Sequence, residues 1–178
     1  EFWLLAPMEQ TTYPLNDPGP LAIMSNDLID VNLERLKSIM GSVSGYPGLI
    51  IETNRQFESN AIMLTNILSD IFRRGLGIAE INAAAPELSK RAAENAAAPF
   101  VKAAIDMDDP RWGRDIGAAL TVMESRARNG ERVLAVMSPT PASLESLAQW
   151  IETLPAKNIR LAPLSFLART NQSVNTGN

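Results

Sequence analysis

Short apolar runs alternate with longer amphipathic stretches along almost the whole chain, and this alternation constrains the fold more than any other feature. Strand-like runs occupy 2–6, 49–51, 76–81, 100–105, 132–137 and 158–161. Between them, apolar residues recur near helical spacing over 30–41, 59–74, 86–97, 110–129 and 141–154, with a last helical turn or two at 163–168. Crossovers of this length join parallel strands, which then need helices on their faces. No internal repeat or second boundary interrupts the pattern in the 178 residues. The reading is one α/β domain over 1–169 and a polar C-terminal tail, 170–178, that is expected to fray. An open doubly wound sheet and a barrel-like ring both fit.

Local signals sharpen the boundaries. Asp30 is expected to cap the helix over 30–41 and Gly41 to end it. Pro86 stands near the start of the Ala-rich helix, and Asp109-Pro110 opens the helix that Asn129-Gly130 closes. Asn16-Asp17-Pro18-Gly19-Pro20 marks a tight turn inside a long loop over 10–25.

Composition excludes whole classes of chemistry. The chain contains no His and no Cys, so it can hold no disulfide, thiolate nucleophile, Ser-His-Asp triad or His-ligated metal. Its net charge is −4, and Arg73-Arg74 and the Arg111/Arg114 and Arg126/Arg128 pairs are too scattered for a phosphate-binding face. Nucleic acid is therefore not an expected partner. No apolar run approaches the roughly 20 residues of a bilayer span. No signal peptide is apparent, because the apolar segment 2–6 follows Glu1 rather than a basic stretch. The abrupt start inside an apolar run leads to the expectation of an N-terminally incomplete domain.

Function in parallel α/β folds sits at the carboxyl ends of the strands. Those ends carry Glu9, Glu52, Glu80, then Asp106, Asp108 and Asp109, then Ser138 and Thr140, with Asn16 and Asp17 on the adjoining loop. Such a rim suits a divalent cation held by oxygen ligands, or acid–base work on a sugar, including a carboxylate-pair glycosidase. The plainer reading assigns Asp109 to helix capping, and Asp106, closer to its strand, less so. Glu52, before the polar Thr53-Asn54-Arg55-Gln56, fits a solvated position equally well. Met8, Trp112, Met137 and Trp150 read as packing residues, whereas Trp3 could face either way.

Pro7-Met8-Glu9 at a strand end, followed by Asn16-Asp17-Pro18-Gly19-Pro20, resembles the signature of the divergent polysaccharide deacetylases. Weaker segments keep the family's order: Gly48-Leu49, Phe57, Arg74-Gly75-Leu76, Ile105-Asp106-Met107-Asp108, Pro139-Thr140-Pro141, and Leu161-Ala162-Pro163-Leu164-Ser165. The resemblance implies an irregular NodB-like (β/α) barrel of parallel strands alternating with helices, with the family's first strand and its paired aspartates missing here. It also implies a periplasmic or cell-envelope location and hydrolysis of acetyl groups on a glycan, using a divalent metal to activate water. On that basis Glu9, Glu52 and Asp106 are candidate catalytic residues. Asn16, Asp17 and Ser138 are candidate substrate contacts, and Glu52, Asp106 and Asp108 are candidate metal ligands. The sequence departs from the family where relatives place His. Ile50-Ile51-Glu52-Thr53-Asn54-Arg55 stands in for an Asn-Asn-His-Met-Gly-Ser-type loop, and Met137-Ser138 for Gly-His. The expectation is a deacetylase-like protein of carbohydrate metabolism with weak or lost activity. The alternative is a non-catalytic envelope module that binds glycan or a protein partner.

Overall fold

The computed structural model describes residues 1–81, 87–113 and 116–169. It divides into two compact units, one of Glu1–Val101 to which Ala168 also belongs, and one of Lys102–Leu167. Pro86, Arg114 and the 170–178 tail lie outside the described residues.

The first unit is built on a four-stranded sheet in the order β1 (Leu4–Leu5), β2 (Gly48–Glu52), β3 (Gly77–Ile81) and β4 (Phe100–Lys102). β1, β2 and β3 run parallel, with Leu4 opposite Leu49 and Gly48 opposite Gly77. Its helices are α1 (Ile29–Gly41), α2 (Arg55–Ser59), α3 (Ala61–Arg73) and α4 (Glu87–Asn95). On α3, Met63, Leu64, Ile67, Leu68, Ile71 and Phe72 fall on one helical stripe and are all buried. They join Leu36, Leu49, Ile51, Phe57 and Ile78 in one apolar cluster. Each fully buried side chain of this kind stabilises the fold by about 1.5–3 kcal/mol relative to exposure.

The facing glycines have a steric cause. A Cβ on Gly48 would lie 2.3 Å from Cζ3 of Trp3 and 2.5 Å from the Gly77 carbonyl oxygen. One on Gly77 would lie 3.1 Å from Cη2 of Trp3. The missing side chains make room for the indole, which settles the face that Trp3 takes.

Capping explains most departures from the sequence reading of this unit. The expected helix over 59–74 is α3, which starts two residues later because Asn60 caps it: its Oδ1 accepts from the Met63 N–H at 3.2 Å while its Nδ2 donates to the Ser25 carbonyl at 2.8 Å. α2 forms where a loop was expected because Asn54 Oδ1 accepts from the N–H groups of Gln56 and Phe57. Asp30 is not the cap of α1. Leu28 holds that position without a side-chain bond, and Asp30 sits in the first turn, where its charge complements the helix dipole. Gly41 is the last helical residue rather than the one beyond.

The second unit pairs β5 (Ile105–Asp106) with β6 (Ala135–Val136) in parallel. Around them lie α5 (Gly117–Arg128), α6 (Pro141–Thr153) and α7 (Leu164–Ala168). Ile105, Met107, Ile116, Ala119 and Leu120 form a buried apolar cluster in it, with Trp112, Met137 and Trp150 packed partly buried against them. The run 100–105 is thus divided between β4 and β5, which belong to different sheets. The expected helix over 110–129 opens instead as a 3-10 turn at Pro110–Trp112, followed by Gly113 at φ 78° before α5 begins. At the start of α6 the Thr140 hydroxyl accepts from the Ser143 N–H while Ser143 Oγ accepts from the Thr140 N–H, a reciprocal capping box around Pro141. Asn158, at φ 55°, ends a 3-10 turn over Pro155–Lys157, and the expected strand at 158–161 does not form. The alternation of parallel strands with helices is as the sequence implies. Among the described residues, no ladder closes these strands into a ring. No described helix is long and apolar enough to cross a membrane.

Candidate functional site

Beyond β1 the chain does not leave the sheet at once. The Glu9 N–H donates to the Ile23 carbonyl at 2.8 Å and the Ile23 N–H to the Pro7 carbonyl at 2.9 Å, so the returning end of the long loop lies beside residues 7–9. This brings Ser25 to the Glu9 carboxylate, whose Oε2 accepts from the Ser25 N–H at 2.7 Å and its hydroxyl at 2.8 Å. Glu9 is buried in this arrangement. From the neighbouring strand, Asn54 Nδ2 donates to the Glu9 carbonyl at 2.6 Å while its other end caps α2. One side chain therefore ties the carboxyl ends of β1 and β2 together.

Between those ends lies a polar cavity of about 340 Å³, lined by Glu9, Gln10, Thr11, Thr12, Asn16, Glu52, Thr53 and Asn54. It gathers Glu9, Asn16 and Glu52 from the residues the sequence singles out. Asp17 is not in its lining; its Oδ1 accepts from the Gly19 N–H at 2.8 Å and fixes the turn in which Gly19 takes φ 97°. Below the cavity, the Thr53 hydroxyl donates to Glu80 Oε1 at 2.5 Å and the Ser89 hydroxyl donates to the same oxygen at 2.8 Å. Glu80 is fully buried.

The second unit brings together Asp106, Asp108 and Ser138. Asp106 Oδ1 accepts from the Asp108 N–H at 2.9 Å, and its carbonyl accepts from Trp112 Nε1 at 2.7 Å. Asp108 Oδ2 accepts from the Ser138 N–H at 2.7 Å, which links the ends of β5 and β6. A shallow cavity of about 220 Å³ follows, lined by Asp108 and Thr140 among others. Asp109 caps the 3-10 turn as its position implies. Its carboxyl is held below the usual aspartate value by the Arg111 backbone N–H first, and then by the Arg111 guanidinium at 2.8 Å.

Sequence reasoning passed over Ser25, Thr53, Asn54 and Ser89, the residues that hold the acids. Asn54 ahead of Arg55-Gln56-Phe57-Glu58 carries a readable capping signal. The Ser25–Glu9 pairing has none, since it depends on a loop returning across sixteen positions.

A divalent metal, which the resemblance implies, needs several converging donors. The chain supplies no imidazole or thiolate, and among the described residues no three acidic side chains gather as such a group. Glu52 belongs to the first unit, and Asp106 and Asp108 to the second. The residues present do not fit the ion. What they form is a set of fixed hydroxyl, amide and carboxylate groups suited to hydrogen bonding.

Comparison with known proteins agrees with this architecture. The crystal structure of an uncharacterized protein from Agrobacterium tumefaciens superposes with a TM-score of 0.80 at 24% sequence identity, covering 93% of this chain and 67% of that one. No curated protein matches the sequence. The sequence model of the divergent polysaccharide deacetylases matches residues 1–168. The chain belongs to the divergent polysaccharide deacetylase family and carries its NodB-like α/β fold.

Proposed function

We propose that this domain serves carbohydrate metabolism in the bacterial cell envelope by binding glycan at the polar cavity of its first unit, with weak or no hydrolysis of acetyl groups. The observation that supports this reading is the engagement of the strand-end acids. Glu9 is fixed by Ser25, Asp106 by the Asp108 N–H, and Asp108 by the Ser138 N–H. A general base must reach a reacting proton in a productive pose, and an oxygen that already accepts a hydrogen bond has fewer lone pairs to offer it. The cavity lining of Gln10, Thr11, Thr12, Asn16, Glu52 and Asn54 offers donors and acceptors of the kind sugar hydroxyls pair with. Family membership supports glycan as the ligand class.

Calorimetric titration with acetylated and deacetylated oligosaccharides, with and without Mn²⁺, Zn²⁺ or Ca²⁺, tests the proposal. Saturable binding independent of added metal and weakened by Thr12→Ala or Glu52→Gln is expected. Failure of every oligosaccharide to bind would overturn it.

A further inference from the structure

The second unit contains another cavity, of about 380 Å³, bordered by Glu131–Ala135 at the amino-terminal approach to β6, whereas Ser138 follows the opposite end of that strand. Its origin is topological. The segment 158–161, expected to be a strand, does not pair with β6, and Ile159 to Leu161 line the hollow beside the approach to β6. Met123 of α5, Trp150 of α6, Leu161 and Phe166 supply apolar wall, with Leu161 and Phe166 59% and 46% exposed. The volume lies in the range that small ligands occupy.

Charge at this cavity is unbalanced in a definite direction. Its acids are engaged: Glu124 accepts from Trp150 Nε1 and from Lys157 and pairs with Arg128, and Glu131 pairs with Arg126 at 2.7 Å. Its cations are not matched. Arg132 stacks over the Phe166 ring at 5.2 Å, Arg160 is exposed, and neither forms an ion pair among the described residues. In a chain of net charge −4, an apolar hollow thus carries at its border two guanidinium groups with no ion-pair partner among the described residues.

We infer that this cavity binds a small amphipathic anion, an aliphatic carboxylate whose chain fills the apolar hollow and whose carboxylate pairs with Arg132 and Arg160. At interior packing density, the cavity accommodates an apolar body of about ten carbon atoms. Guanidinium is the cation best shaped for a carboxylate, because its N–H fork matches the two oxygens. The inference is independent of the glycan reading, which concerns the first unit.

The test is titration of the whole chain with sodium decanoate below its micellar concentration, followed by calorimetry and Trp fluorescence, beside 1-decanol and decyltrimethylammonium. Decanoate is expected to bind one site about tenfold tighter than either control, the gain of a charge-assisted hydrogen bond. Combining Arg132→Gln with Arg160→Gln should weaken decanoate about tenfold, to the level of decanol. Trp150→Phe should remove the fluorescence response while calorimetric binding persists. The inference is overturned if decanoate does not bind, binds no tighter than the controls, or binds the arginine variants unchanged. It is equally overturned if sedimentation shows a decanoate-insensitive dimer that Phe166→Ser dissociates, since a second copy would then cover the hollow.

Discussion

The two units share parallel strands and intervening helices but treat the polar groups at their strand ends in opposite ways. In the first, Glu9, Ser25, Thr53, Glu80 and Ser89 are buried together with a large apolar cluster that includes Phe57, Leu64, Ile67 and Ile78. In the second, the buried cluster is small, Asp106 is half-buried, and Asp108 and Ser138 are exposed. Position at a strand end therefore does not determine what a carboxylate does. Buried beside a hydroxyl and an amide, it becomes part of the fold's support; left in solvent, it bridges two short strands at little gain.

Core truncation tests the contrast most severely. Ile67→Ala should cost about 2–5 kcal/mol, because Ile67 is wholly buried and rigidly surrounded. Ile105→Ala should fall at or below the low end of that range, since its half-buried neighbours can relax. Hydrogen exchange resolved by unit would show this, and equal costs would break the comparison. Next comes Gly48→Ala, which drives a methyl into Trp3 and the Gly77 carbonyl and should cost about 1–3 kcal/mol. Trp3→Leu in the same chain should recover part of that loss in denaturant unfolding. If it recovers nothing, the indole is not the reason for the glycine.

Glu9→Ala follows, leaving the Ser25 N–H and hydroxyl without their buried acceptor at a cost of about 1–3 kcal/mol. Asp108→Ala, its counterpart in the second unit, should stay within about 0.5–1 kcal/mol because water replaces the lost acceptor. Both values come from urea midpoints at constant slope.

The smallest effect is electrostatic. Glu124 is held below its ordinary value of 4.5 mainly by the Lys157 ammonium, with Trp150 Nε1 and Arg128 adding to it. A carboxyl group lowered in the folded state stabilises that state above its unfolded value and loses the contribution as pH falls through its folded value. Glu124→Gln should therefore flatten the acid limb of the second unit's stability and leave the first unit's unchanged. A parallel loss in both units would contradict the assignment.

Much of this was readable from the chain because the signals were local. Strand–helix alternation, the Asp109 cap and the Asn-Asp-Pro-Gly-Pro turn each depend on neighbours a few positions away. The short helix α2 was hidden because Phe57 is its one buried apolar residue, and the bonds from Gln56 and Phe57 to Asn54 show that a helix begins there. The strand expected at 158–161 failed for the opposite reason. Its residues suit a strand, but its first residue, Asn158, is left-handed and no ladder pairs the segment among the described residues. At the candidate site, the acids were visible as residue types, whereas their engagement by Ser25, Ser89 and backbone N–H groups is a tertiary property. The absence of His was plain from composition. The fold adds that Glu52 stands at the carboxyl end of β2, on the rim of the polar cavity.

We propose that a deacetylase fold is retained here with its hydrolytic chemistry weak or lost. Acetate release from acetylated oligosaccharides, assayed with Zn²⁺, Mn²⁺ or Ca²⁺ beside a heat-inactivated control, tests it most directly. The proposal predicts release at or barely above the control from a chain that binds the same oligosaccharide by calorimetry. Metal-dependent release that Asp106→Asn or Glu52→Gln abolishes would contradict it.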